Sequence, residues 1–220
     1  ARARIKGRPV VYTNLRSTYM HELDSVSGFE KFNEPAAMRT PQAFMSAASD
    51  IGYTFNWFYA DSRHIAYFNS GLNPVRARHT DPLFPSWSQY AWPGLNPSAQ
   101  TVPASLTERD LPQSAHPQVI DQPVLTSWNN KQAKDFGAAA GNFSYRAVQR
   151  ADLLDRPLRA RLAAGQKLSR VDVLQVAERA AVTDLRGAEV LDDLLRVIHS
   201  APVTDPAQAA AVKQLESWYA

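Results

Sequence analysis

The sequence contains no cysteine, and this absence excludes several kinds of site at once. Disulfides, thiolate metal sites and a cysteine nucleophile all require the thiol group. The sequence also has no apolar run that approaches the roughly 20 residues needed to cross a bilayer. Its basic first residues, 1–7, are not followed by the apolar stretch of a signal peptide. We therefore expect no membrane partner, and the lack of cysteine fits any redox compartment.

Charge of one sign is not concentrated anywhere along the chain. The 220 residues include 24 basic and 21 acidic side chains, which give a formal net charge of +3. A protein that binds a phosphate backbone usually gathers its basic residues on one face. Nucleic acid is therefore not expected as a partner. With 45% hydrophobic and 20% charged residues, the composition is that of a globular protein large enough to bury a core.

Several common catalytic motifs are missing as well. The sequence has no Gly-x-Ser-x-Gly elbow, no Walker loop and no dinucleotide-binding glycine loop. The histidines are never two or four residues apart, so no zinc signature is present. They are His21, His64, His79, His116 and His199. Ordinary serine triads, nucleotide chemistry and a histidine metal site are therefore not predicted.

The hydrophobic pattern predicts an α+β protein in two portions. Residues 1–145 are expected to be rich in sheet, with aromatic and β-branched strands at 54–60 and 64–69. Proline recurs through 71–122 without a sustained period, which predicts a long loop of surface or functional importance. The run 123–130 then predicts a further strand.

Helical periodicity predicts two helices in the first portion and a helical second portion, 146–220. In the first portion, the helix at 20–32 would carry Leu23, Val26 and Phe29 on one face, and Thr40 would cap a helix at 42–51. The remaining helices are expected at 145–162, 170–185, 188–199 and 206–219, with Gly165 and Gly187 as breaks.

The most informative element is the sequence Ser-Trp-Asn-Asn at 127–130, where the predicted strand ends. An asparagine amide is a neutral, directional donor that can hydrogen-bond the oxygen of a tetrahedral intermediate. Asparagine pairs after strands are, however, more often turn formers. The residues alone leave both interpretations open.

A second informative element is the aromatic strand at 54–61. Alternation places Phe55, Trp57 and Tyr59 on one face and Asn56 and Phe58 on the other, so both faces carry aromatic rings. A buried core explains such a strand. The alternative is that one of the aromatic rings lines an apolar ligand pocket.

These motifs together resemble the β-chain of the penicillin acylase family, and the resemblance runs over nearly the whole sequence. The order and spacing of the motifs both fit. The matching segments are 54–61, 65–67, 70–71, 79–82, 92–95 and 128–131.

The resemblance implies a fold and a set of roles. The fold is part of an αββα sandwich, and the nucleophile is a serine at the N-terminus of the family β-chain, activated by its own α-amino group. Asn129 would supply the oxyanion donor, and Arg146 would help to order the site. Phe29 and Phe55 would line the acyl pocket.

The sequence departs from the family pattern at two places. Residue 1 is alanine, so the nucleophile is expected to lie outside this chain, and the chain alone is expected to be inactive. The resemblance also implies that Pro82 offers a backbone carbonyl to a calcium ion, but the carboxylate expected after the Trp-Asn-Asn sequence is replaced within 137–140 by Gly-Ala-Ala-Ala. We predict no cofactor on this basis.

The resemblance thus predicts a segment of a periplasmic or extracellular acylase that cleaves the amide between an apolar acyl group and an amine. Penicillins, acyl-homoserine lactones and related amides are all possible substrates. The expected partners are the remaining α- and β-chain segments of the same precursor and a small acyl amide. The alternative is a non-catalytic structural fragment, or a binding module that stacks ligands on Trp87, Tyr90, Trp92 and Trp128.

Overall fold

A computed structural model of the chain describes residues 2–12, 14, 16–18, 21, 23–78, 80, 81, 84–90, 110–134, 136, 137, 145 and 149–219. These residues form an α+β architecture, which confirms the predicted fold class. The described strands are β1 (Arg2–Ile5), β2 (Arg8–Val11), β3 (Asn56–Ala60), β4 (Ile65–Asn69) and β5 (Gln118–Ile120). The described helices are α1 (Ser25–Phe32), α2 (Pro41–Ser49), α3 (Asp152–Ala163), α4 (Arg170–Val182), α5 (Leu185–Ile198) and α6 (Pro206–Tyr219).

The chain divides into two compact units. The first, which we call the sheet unit, comprises Ala1–Leu125 and Lys131–Tyr145. The second, the helical unit, comprises Thr126–Asn130 and Arg146–Ala220. The short segment 126–130 therefore interrupts the sheet unit in sequence but belongs to the helical unit.

The described residues of the sheet unit form two antiparallel sheets. β1 and β2 form a two-stranded hairpin, and the second sheet has the order β3-β4-β5. In the second sheet, Trp57 on β3 lies opposite Phe68 on β4. Asp61 closes the β3–β4 turn by accepting hydrogen bonds from the backbone N–H groups of Arg63 at 2.6 Å and His64 at 2.7 Å. The hydrogen bond from the Tyr59 hydroxyl, followed by these backbone bonds, lowers the pKa of Asp61 to about 2.

Helix α2 supplies the other side of the main core. The Thr40 side chain accepts a hydrogen bond from the Ala43 N–H at 3.1 Å, and Pro41 occupies the first helical position, as the sequence predicted. A buried cluster then joins this helix to β4. Its members are Phe44, Met45, Ala48, Ala66 and Phe68.

Helix α1 differs from its prediction in both length and orientation. It begins at Ser25, not at residue 20, and the expected apolar face is exposed at Leu23 and Val26. Ser25 and Gly28 are buried in its place. The reason is steric, because a Cβ atom on Gly28 would lie 2.5 Å from the Cγ1 atom of Ile51. The bare glycine backbone, rather than the apolar stripe, is what lets α1 approach α2.

The strand predicted at 123–130 is wrong. The third strand of the larger sheet is β5, which lies inside the predicted loop 71–122 and pairs with β4 through Ala66 opposite Ile120. Asp121 follows β5 with φ of 57°, a left-handed conformation that turns the chain away from the sheet. Pro123 has no N–H group to extend the ladder. A bridge between Pro74 and Asp110 adds further pairing within the same predicted loop.

The helical unit is built from helices with well-defined ends. Ser169 and Asp172 form a reciprocal capping box at the start of α4. Gly165 has φ of 74° and ends α3, where its N–H donates to the Leu162 carbonyl at 2.9 Å. Within the described residues, no helix combines the length and apolar character that crossing a bilayer requires.

Two helix boundaries in this unit correct the sequence predictions. The helix expected from 145 begins at Asp152, because Gln149 and Arg150 lead into a turn rather than a helix. Gly187, expected as a break, lies in the first turn of α5. There its N–H donates to the Asp184 side chain, which caps the helix.

Candidate functional site

Two of the predicted site residues lie on the same aromatic ring in the sheet unit. Phe29 on α1 and Phe55, just before β3, both pack edge-on against Trp57, with ring centroids 5.8 Å and 5.6 Å from it. We call these three residues the aromatic cluster. Phe29 is 39% exposed and Phe55 is 47% exposed. The cluster therefore presents an apolar surface, although its central ring is partly buried.

The buried side chain of Ser70 holds the aromatic cluster in place. Its hydroxyl accepts a hydrogen bond from the Trp57 indole N–H at 2.9 Å and donates one to the Tyr53 carbonyl at 2.6 Å. The Phe55 backbone N–H also donates to this hydroxyl at 3.3 Å. A buried indole N–H without such a partner would be costly. Ser70 follows β4 directly, and sequence reasoning gave it no role of its own.

The segment Ser127–Asn130, which we call the asparagine turn, is a turn rather than the end of a strand. Asn129 has φ of 57°, in the left-handed region that asparagine tolerates better than most residues. The side-chain oxygen of Asn130 accepts a hydrogen bond from the Trp128 N–H at 2.9 Å. Asn129 itself is exposed. The turn-forming interpretation is therefore correct for the backbone, and it leaves the side chain of Asn129 at the surface.

An arginine that sequence reasoning missed contacts the asparagine turn. Arg150 donates a hydrogen bond from Nη2 to Oδ1 of Asn129 and another from Nε to the Trp128 carbonyl at 3.3 Å. Its guanidinium also lies over the Trp128 ring, 5.0 Å from the centroid. Arg146, the arginine predicted to order the site, lies outside the described residues.

Thr126, the residue directly before the asparagine turn, contacts helix α3. The Thr126 hydroxyl donates to Oδ1 of Asp155 at 2.8 Å, and Arg159 donates to Oδ2 of Asp155 at 2.5 Å. Partial desolvation alone would raise the pKa of Asp155, but the hydrogen bonds from Arg159 and Thr126 outweigh it and lower the pKa. The carboxylate therefore stays charged near neutral pH and can hold both partners.

Of the residues that the resemblance connects with a calcium ion, only Gly137 lies within the described part of the chain, and Pro82 lies outside it. The described residues contain no group of three or more histidine, aspartate or glutamate side chains placed to hold a metal. Gly137 offers no side chain, and its carbonyl accepts a hydrogen bond from Nδ2 of Asn73 at 3.0 Å. We therefore assign no chemical step to a metal ion.

A profile of the family described as penicillin amidase matches residues 5–220. The chain belongs to the penicillin amidase family. This confirms the resemblance drawn from the Trp-Asn-Asn sequence and the aromatic strand.

A solved penicillin amidase relative has the same fold. The thermostable penicillin G acylase from Alcaligenes faecalis matches with a TM-score of 0.62 and 19% sequence identity. The match covers 96% of this chain and 39% of the acylase chain. The chain thus spans well under half the length of that acylase.

Proposed function

We propose that the chain is a segment of an acylase that hydrolyses the amide bond between an apolar acyl group and an amine. The nucleophile of this acylase is an N-terminal serine outside the chain. The observation that carries the proposal is the asparagine turn, where an exposed Asn129 amide is held by an arginine in a member of the penicillin amidase family. An amide placed in this way is suited to stabilise a developing oxyanion.

The proposed reaction proceeds through a covalent intermediate. The serine oxygen attacks the acyl carbon while the serine's own α-amino group accepts the hydroxyl proton. The carbonyl oxygen becomes an oxyanion, which accepts a hydrogen bond from the Nδ2 group of Asn129. Collapse of this intermediate breaks the carbon–nitrogen bond and releases the amine, which takes the proton. Water then hydrolyses the acyl-serine ester to release the acid.

The aromatic cluster is proposed to bind the acyl group. Phe29 and Phe55 are both partly exposed and are held against Trp57, so they offer apolar ring surface without further rearrangement. An apolar acyl chain that covered this surface would gain on the order of 25 cal/mol for each Å² removed from water. Charged acyl groups would gain nothing comparable and should be poor substrates.

The remaining parts of the proposal concern the whole protein. Arg146 is proposed to order the site, as the family resemblance implies. The partners are the other α- and β-chain segments of the same precursor, which matures by cleaving itself, and the protein is periplasmic or extracellular. The partial coverage of the acylase structure supports the view that other segments complete the site.

The proposal is tested by Asn129→Ala in the full-length protein that carries this chain. The variant should lose about 10² to 10³ in kcat, because removal of one oxyanion donor typically costs this much. Turnover is measured on p-nitroanilides whose acyl groups range from acetyl to phenylacetyl and decanoyl. Mass spectrometry of the processed chains and the melting temperature serve as controls and should not change.

Two outcomes would contradict the proposal. Near-wild-type turnover by Asn129→Ala would remove Asn129 from the mechanism. Robust hydrolysis by a purified sample of the 220-residue chain alone would contradict the placement of the nucleophile outside it. If the full-length protein hydrolysed none of the anilides, the alternative of a non-catalytic binding or structural segment would be favoured.

A further inference from the structure

We propose that Ser70 is a positioning residue that sets the acyl selectivity of the aromatic cluster. The inference rests on the proposed function of this cluster as the acyl-binding surface. Ser70 is fully buried, so it can act on a substrate only through the residues that it holds. The inference assigns to this hidden hydroxyl group an effect on which acyl groups the protein accepts.

Ser70 and its neighbour fix the backbone of Phe55. The Phe55 N–H donates to the Ser70 hydroxyl at 3.3 Å, and the Phe55 carbonyl accepts a hydrogen bond from the Ser70 N–H at 3.0 Å. Nδ2 of Asn69 donates to the same carbonyl at 3.1 Å. Phe55 lies just before β3, where the regular pairing with β4 ends. These bonds therefore set the direction in which its half-exposed ring leaves the chain.

The Ser70 hydroxyl also holds the residues two positions before and after Phe55. It accepts a hydrogen bond from the Trp57 indole N–H at 2.9 Å and donates one to the Tyr53 carbonyl at 2.6 Å. The rings of Tyr53, Phe55 and Trp57 form a row, with successive centroids 6.2 Å and 5.6 Å apart. A serine hydroxyl has one proton and two lone pairs, so these three contacts use its full hydrogen-bonding capacity. One buried group thus fixes the spacing of three rings.

The tilt of the Trp57 ring determines the shape of the proposed acyl surface. Phe29 and Phe55 both pack edge-on against Trp57, at interplanar angles of 74° and 76°. Without the Ser70 hydroxyl, the partly buried indole N–H would lose its acceptor and would favour any orientation that restores a hydrogen bond. Both phenylalanine rings would have to follow that movement. The surface is therefore held in shape by a hydrogen bond that lies behind it.

The loss of this hydrogen bond should affect acyl groups according to the ring surface that they cover. An acetyl group is too small to cover much of Phe29 and Phe55, whereas phenylacetyl and decanoyl groups gain their binding free energy from such coverage. A change in the shape of the surface should therefore lower kcat/KM for the two larger groups and spare acetyl. A loss of folded protein would instead lower kcat/KM for all three by the same factor.

The experiment measures Ser70→Ala in the full-length protein on the acetyl, phenylacetyl and decanoyl p-nitroanilides. Alanine removes the hydroxyl but keeps the backbone bond to Phe55. Relative to acetyl, kcat/KM for the two larger acyl groups should fall by about 10-fold, the low end of what apolar pocket contacts contribute to discrimination. Ser70→Cys should give an intermediate ratio, because a thiol is of similar size but donates and accepts only weakly.

Ser17→Ala is the matched control for the loss of a buried hydroxyl. Ser17 is 7% exposed, and its hydroxyl donates to the Leu72 carbonyl rather than to the aromatic cluster. Its removal should lower the melting temperature, as the removal of the Ser70 hydroxyl should, but it should leave the ratios between the three anilides unchanged.

Phe55→Ala separates the inference from the proposed function on which it rests. This variant removes part of the acyl surface itself and should lower the ratios whatever Ser70 does. Unchanged ratios in Ser70→Ala, an equal loss on all three anilides, or the same change of ratios in Ser17→Ala would each overturn the inference. If Phe55→Ala alone changes the ratios, the inference fails and the proposed function stands, whereas unchanged ratios in both variants would contradict both. If Ser70→Ala does not mature, Ser70→Cys decides the question through the same ratios.

Discussion

The sheet unit buries aromatic and aliphatic side chains together in one cluster, whereas the helical unit buries only smaller aliphatic side chains among its described residues, such as Leu158, Val176 and Leu191, and also carries helix caps and ion pairs. In the sheet unit, Phe68 and Ala48 are fully buried beside Phe44. In the helical unit, α6 buries no residue, and Arg156 pairs with Glu189 at 2.6 Å.

This contrast extends to the candidate site residues. Phe29 and Phe55 belong to the sheet unit and pack on a ring that a buried serine holds. Asn129 belongs to the helical unit and is held by an exposed arginine. The proposed acyl surface is thus fixed by packing, and the proposed oxyanion donor is fixed by hydrogen bonds. Core substitutions should therefore change stability, while substitutions at the asparagine turn should change turnover.

The largest expected effect on stability comes from Gly28→Ala in the sheet unit. The added Cβ would lie 2.5 Å from Cγ1 of Ile51 and 2.7 Å from the Ala47 carbonyl oxygen, so α1 and α2 must separate. Overpacking of this kind typically costs about 1–3 kcal/mol of unfolding free energy. Urea denaturation measures the cost.

Gly187→Ala in the helical unit is the matched control. Its Cβ would also lie 2.5 Å from an atom, but that atom belongs to the ring of Trp218, which is 61% exposed and can turn away. Alanine is also the better helix former by up to about 1 kcal/mol. The net change should stay below about 1 kcal/mol. Equal losses in the two variants would contradict the contrast between Gly28, which faces the buried Ile51, and Gly187, which faces the exposed ring of Trp218.

The next effect concerns the helix caps. Ser169→Ala removes the capping box of α4. The free energy of unfolding should fall by about 1 kcal/mol, as it usually does when an N-cap is lost. Because few buried contacts hold α4, its amides should also exchange faster with solvent. Thr40→Ala removes the cap of α2, whose amides should keep their protection because Phe44 and Ala48 anchor that helix. Hydrogen exchange followed by mass spectrometry measures both, and equal acceleration in α2 and α4 would argue against the contrast.

The smallest effect is a pH dependence of opposite sign in the two units. Burial raises the pKa of Asp110 in the sheet unit from 3.8 to about 6, although His21 opposes the shift. The folded state then binds this proton more tightly than the unfolded state, so the Asp110 contribution to stability falls as pH rises from about 4 to about 6. In the helical unit, hydrogen bonds from Ser169 lower the pKa of Asp172. The charged Asp172 therefore stabilises the folded state above pH 3.8, the ordinary pKa of aspartate. This stabilisation is lost as the pH falls through the lower pKa that Asp172 has in the folded state.

Asp110→Asn and Asp172→Asn test this difference. Asp110→Asn should raise the melting temperature above about pH 6 and do less near pH 4. Asp172→Asn should lower the melting temperature at neutral pH and have less effect in acid. Melting curves from about pH 3 to pH 8 give both profiles, since this range spans the carboxyl pKa values concerned. Profiles that run parallel to the wild type in both variants would mean that the two carboxyls do not differ as described.

The sequence predicted those elements whose signals are local. Thr40 and Pro41 mark the start of α2, and the spacing of Phe44 and Ala48 marks its buried face, so this helix follows from neighbouring residues alone. Strand β5 depends on pairing with β4 far away in sequence, and its three residues carry too short a pattern to reveal it. The buried face of α1 was predicted wrongly for a related reason. The approach of α2 to Gly28, and not the apolar stripe of α1, decides which face is buried.

The residues of the candidate site likewise fall into those that a sequence motif reveals and those that only the structure reveals. The Trp-Asn-Asn sequence and the Phe55 strand are visible as motifs, and they led to the family. Arg150 could not be found from a motif, because its contact spans 21 residues and depends on the left-handed backbone of Asn129. In the sequence, Ser70 is simply a small residue that follows a predicted strand. Its role in holding the aromatic cluster depends on the hydrogen bond that it accepts from the indole of Trp57.

The central claim is that Asn129 acts as a hydrogen-bond donor, and kcat of Asn129→Asp in the full-length protein tests it most directly. Aspartate has the same shape, keeps an acceptor oxygen for Arg150 and fits the same turn, but its carboxylate has no N–H group to donate. The account predicts normal maturation, an unchanged melting temperature and a loss of at least about 10² in kcat, similar to or greater than that of Asn129→Ala. Wild-type kcat in Asn129→Asp would contradict the account, because it would mean that the side chain serves only to build the turn.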